Sequence, residues 1–216
     1  VSALLADFGP LVVATDVDAA VIATLQEWLP AYLGQVEVER GKTPGFLPRP
    51  ALGSYANTLT SGEFLDHDLP ALLVTTASAS DPTVNADSCY RISWRLAISA
   101  IVRGRTAPET RETASLYEGS LRRVLVQKQM LGGLAGGVRW LTSSVAPVTD
   151  MTGAGRYLAA GMSTYTVFVD DVVREGGGPT TADGGPGTAD GPYSPLATVV
   201  SVTTDVEATP ITEDFT

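Results

Sequence analysis

The chain has 216 residues, 44% of them hydrophobic, which is enough for one domain with a full core, alone or with an appendage. Its formal charge of −10 argues against a surface built to grip duplex nucleic acid, because such surfaces cluster Lys and Arg to displace counterions. A single cysteine, Cys89, leaves no intrachain disulfide and no paired-thiol metal site, and its place in an apolar strand pattern predicts an inert buried thiol.

No run of 18 or more apolar residues occurs, and the N-terminus lacks the basic region and long apolar stretch of a secretory signal; a soluble chain without a membrane span is predicted. The first element is a helix from about Asp16, with Thr15 or Asp16 as its cap and Val17, Val21, Leu25, Trp28 and Tyr32 on one face. Pro30 lacks a helical N–H, so the pattern predicts a kink or restart there and an end at Gly34. Residues 40–68 are rich in Gly, Pro, Ser and Thr with no sustained period, and read as a long loop. Loops of that length are usually functional or ordered by a partner, so its large side chains Phe46, Leu47, Tyr55 and Phe64 are candidates for contact between subunits.

Leu69 to Thr76 reads as a short buried strand. Next, Tyr90, Ile92, Trp94, Leu96, Ile98, Ala100 and Val102 alternate with Arg91, Ser93, Arg95, Ala97, Ser99, Ile101 and Arg103. A period of two held that long predicts a strand with one face packed on helices and the other partly wet, as in an antiparallel sheet covered on one side. Thr106 and Glu109 form a capping box for a second helix, whose apolar stripe is Ala114, Tyr117, Leu121, Val124 and Leu125. Glu118 and Arg122 are expected as an i, i+4 pair on its exposed side, and Gly132 and Gly133 as its stop. Two more strands, Val138 to Val145 and Tyr157 to Val172, flank a polar turn. The fold class is therefore α+β: an antiparallel sheet of about four strands with two helices on one face, in the order α-β-β-α-β-β.

That body spans residues 1–173. Residues 174–195 collapse to Gly, Pro, Thr, Ala and Asp and read as a linker, since they cannot bury enough apolar area to offset chain entropy. Residues 196–216 regain strand-like composition around Val199, Val200 and Val202, a short arm able to add to a sheet edge. From residue 173 onward seven acids face one base, Arg174, so the extension is the more acidic part.

Catalytic and cofactor chemistry has little footing. His67, the only histidine, lies between Asp66 and Asp68 with no second histidine or nucleophile motif to complete a site. The Gly132 to Gly137 run follows a helix and precedes a strand, without the Lys-Ser/Thr of a phosphate cradle, and reads as a turn. Asp170 and Asp171 lack further spaced ligands for a cation. Arg91, Arg95 and Arg103 on the wet strand face make a basic stripe, but no aromatics interleave with them as a single-strand platform requires. No enzyme and no cofactor is expected.

With this order of elements, the sequence resembles the tail terminator proteins of long, flexible-tailed phages of actinobacteria. The resemblance runs through Trp28 to Leu33, Val36 to Gly41, Pro44 to Pro48, Leu69 to Val74, Tyr90 to Trp94, Leu116 with Tyr117, Leu121 to Val124, and Tyr157 to Asp171. It implies a virion protein, assembled in the host cytoplasm, that forms a hexameric ring on the head-proximal end of the tail tube. Its implied partners are further copies of itself, the major tail tube protein and a neck or head-completion protein. Genome DNA would pass through the lumen without specific binding, and an acidic subunit suits that passage. A head-completion or connector protein of the same virion is the alternative. The predicted contact regions are the 40–68 loop, the turn carrying Arg103 and Arg105, the turn carrying Asp150 and Arg156, and the arm.

Overall fold

The apolar stripe that begins at Val17 builds one helix, α1 (Ala14–Glu39), in the computed structural model, which describes residues 12–57, 69–84, 90–150 and 156–170. All of these belong to one unit, Val1–Glu175. Asp16 stands in the first turn, not at the cap: its Oδ2 accepts the Val13 N–H at 2.9 Å, close to the positive end of the helix dipole. The helix also runs through Pro30 and past the predicted end at Gly34. Leu33 and Val36 are buried and Glu37 is clamped, so tertiary contacts outweigh the one N–H that Pro30 lacks.

The sheet comprises β1 (Tyr55–Ala56), β2 (Ala71–Val84), β3 (Tyr90–Gly104), β4 (Gly137–Val145), β5 (Thr149–Asp150) and β6 (Tyr157–Val169). Its order is β1-β2-β3-β6-β4, with β5 also on β6. The pairs are antiparallel except β1 with β2, which is parallel and makes the sheet mixed. Strand β2 is longer than predicted because its outer part, from Ala77 onward, is exposed. It pairs with Tyr90 to Arg95 as the arm of a hairpin and carries no burial pattern to signal it.

Helix α2 (Ala107–Gln127) starts as its sequence predicts: the Thr106 hydroxyl accepts the Glu109 N–H at 3.3 Å, although Glu109 does not reach back to the cap. Both helices cover one face of the sheet. Leu72, Val74, Leu96, Ile98, Ala100, Val102, Tyr165 and Val167 meet Val21, Leu25, Leu29, Leu33, Tyr117 and Leu121 in one core cluster. Each large apolar side chain buried there stabilises the fold by roughly 1.5–3 kcal/mol.

Two features set how closely α2 sits on the sheet. A Cβ on Gly161 would lie 2.5 Å from the Ala114 carbonyl oxygen, so only glycine lets helix and strand approach this closely. Glu118, predicted on an exposed side, instead faces inward: it is 8% exposed, and its Oε1 accepts from the Ser163 hydroxyl at 3.2 Å. Its pair with Arg122 is loose, at 3.8 Å. The prediction erred because helical spacing marks which residues pair and not which way the pair faces. Gly161→Ala is expected to push α2 outward and cost about 2 kcal/mol, the usual scale of overpacking, read as a lower urea midpoint with unchanged m.

Candidate assembly interface

The start of the predicted contact loop is pinned from within the chain. Glu37 is 3% exposed, and both its carboxylate oxygens accept from Arg49, at 3.0 Å and 2.9 Å. Oε1 also accepts the Leu47 N–H at 2.7 Å, while Arg49 donates to the Leu47 carbonyl. The Arg49 hydrogen bonds first, and then the Leu47 N–H, hold the Glu37 carboxyl down at about 2 despite its burial. On the other side of the loop, the Tyr117 hydroxyl donates to the Pro48 carbonyl, and burial pushes that phenol well above its ordinary range. Lys42 pairs with Glu112 at 2.6 Å and lies over the Phe46 ring, so α2 also holds the loop.

These contacts decide what the loop offers a neighbour. Leu47 is fully buried and belongs to the core, so its side chain is not available to another chain in the folded body. Phe46 and Tyr55 are half-buried against the core, and burial raises the Tyr55 hydroxyl to about 12. Phe64, and Val199, Val200 and Val202 of the arm, lie outside the described residues, as do Cys89 and His67.

The polar candidates come together. Pairing of Arg103 with Leu158 and of Gly104 with Tyr157 brings the two chain ends beyond them, Arg105 and Arg156, to the same end of the β3–β6 ladder. Asp150 pairs with Tyr157 on the other side of β6. Arg103, Arg105 and Arg156 are exposed, and α2 begins two residues after Arg105. One end of the sheet therefore gathers the first predicted turn and the described flanks of the second, with the pinned 42–50 loop packed against the N-terminal half of α2.

Among solved structures, the chain is similar to a chain from the virion of a native gene transfer agent particle, at 13% identity and a TM-score of 0.40, over 71% of this chain and 93% of that one. No family model matches the chain. No curated protein matches it either.

Charge is unevenly spread along the chain, which carries −10 in all. The described residues hold thirteen Lys and Arg against eleven Asp and Glu, a balance of +2, so the acidity resides outside them. Among the described residues no three His, Cys, Asp or Glu side chains gather as a metal ion would require, and no helix is long and apolar enough to cross a membrane. An open cleft of about 350 Å³ lies between α1 and the turn after α2, lined by Ala20, Thr24, Trp28, Met130 and Leu131, with Lys128 Nζ 3.4 Å from the Trp28 ring centroid.

Proposed function

We propose that the protein is a non-enzymatic structural component of a phage virion: a tail terminator whose copies form a hexameric ring on the head-proximal end of the tail tube. The ring ends tube polymerisation and presents its other surface to the neck. The observation that carries the reading is a set of surfaces for which a monomer has no use. Among the described residues one sheet face has no helical cover, and Arg103, Arg105 and Arg156 come to one end of that sheet. The sequence resemblance supplies the kind of assembly, and the residues that carry it occupy both helices and three strands.

The test is light scattering after size-exclusion chromatography of the chain, with and without the tail tube protein, followed by negative-stain imaging. A six-fold ring, free or seated on tube ends, is the expected result. A chain that stays monomeric and ignores tube ends overturns the reading. One that binds the portal side without altering tube length makes it a connector instead.

A further inference from the structure

The sheet face turned away from the helices carries its charge in one sign across its middle. Arg95 on β3 and Arg139 on β4 both pair with Thr166 on the strand between them, so the two guanidinium groups flank one hydroxyl on the same face. Two strand spacings separate their backbones by roughly 10 Å. Both arginines are exposed, and neither forms an ion pair or side-chain hydrogen bond with another described residue. Below them the same face continues through Ala97, Thr164 and Thr142 and then Ser99, the exposed Met162 and Ser144, without an acidic side chain among these facing positions. Arg91, toward the far end, is already neutralised by Asp170.

From this juxtaposition we infer that the helix-free face contacts the phosphate backbone of duplex DNA, through the Arg95–Thr166–Arg139 row. Guanidinium and hydroxyl groups are donors suited to phosphate oxygens, and such contacts position a duplex without reading its sequence. The one aromatic ring beside this row among the described residues, Phe168 on β6, is only partly exposed, which favours duplex backbone over the stacked bases of single strands. The choice of nucleic acid over an acidic polypeptide rests on the virion reading, in which a genome passes the ring; the anion-binding row itself does not.

The experiment is fluorescence anisotropy of the full chain with a labelled duplex of about 20 base pairs, at salt concentrations from about 50 mM upward. Two unrelated sequences and a labelled poly-glutamate peptide serve as comparisons. Expected are equal binding of both duplexes and weakening with salt. In R95A/R139A, a log K against log salt slope shallower by about 1.8 is expected, the loss of two phosphate contacts. R95K/R139K should restore most of the slope, since Lys keeps the charge while losing the fork. Absence of salt-sensitive duplex binding, or binding indifferent to R95A/R139A, overturns the inference. So does preferential capture of poly-glutamate that R95A/R139A abolishes, which would assign the row to an acidic protein. Ring formation and tube capping are scored separately, so either idea can fail without the other.

Discussion

Replacing Arg49 by alanine is expected to destabilise the body by about 3 kcal/mol, because it leaves the Glu37 carboxylate buried with only backbone N–H groups, chiefly that of Leu47, for partners. The estimate sits at the low end for a broken buried pair because the Arg49 side chain is 35% exposed and the site can hydrate from that side. Acid behaviour supplies the independent check. Glu37 titrates at about 2 when folded against an ordinary 4.5, so its folded-state value is depressed. Its contribution is therefore fully present above the unfolded value and is lost as pH falls toward the folded one. That difference corresponds to about 3 kcal/mol, lost progressively across the window from 4.5 to 2. In R49A the carboxyl no longer has its main stabiliser, and lowering the pH through this window should relieve the buried charge and flatten the profile. E37L/R49A, with no charge left to bury, should recover part of the loss. Urea unfolding near neutral pH and a thermal series through the acid range measure both effects. A loss under about 0.5 kcal/mol with an unchanged acid slope would show that the clamp does not hold the loop.

The same clamp explains why parts of the fold were legible in the sequence and others were not. Strand β3 could be read because its alternation reports one face packed on helices, and Leu96, Ile98, Ala100 and Val102 are all buried as that pattern requires. The α2 stripe could be read for the same reason at a different period. Leu47 could not: it sits in a segment without period and enters the core because Glu37 and Arg49 fold the chain back onto α1 and α2. The continuation of α1 beyond Pro30 depends on the same partners, which no local rule contains. The outer half of β2 is exposed, so hydrophobic patterning had nothing to register, while Glu118 turns inward because Gly161 and Ser163 make room and a partner for it on β6. As for the site, the individual turns could be named from their exposure and composition. That Arg105 and Arg156 stand at one end of the same ladder follows only from the pairing of β3 with β6, fifty residues away in sequence.

That shared end is where charge reversal should have its largest effect on assembly. R105E/R156E replaces two exposed arginines at this end of the sheet with carboxylates. If this end meets a neighbouring copy or the tube, each reversal replaces an attraction by a repulsion, and their combined effect should weaken association by at least about tenfold, with greater loss at low salt than at high. R105E alone should leave folding nearly unchanged, within about 0.5 kcal/mol, since its side chain is exposed, whereas R156E also removes an interaction that Arg156 makes within the chain. R49A reverses this pattern, because it acts on stability first and on assembly only through the loop that Glu37 holds. Comparing the two variants by light scattering and urea unfolding separates an interface residue from a residue that shapes one. A normal yield of rings from R105E/R156E at low salt would remove this end of the sheet from the contact surface and leave the half-buried Phe46 and Tyr55 as the surface to test next.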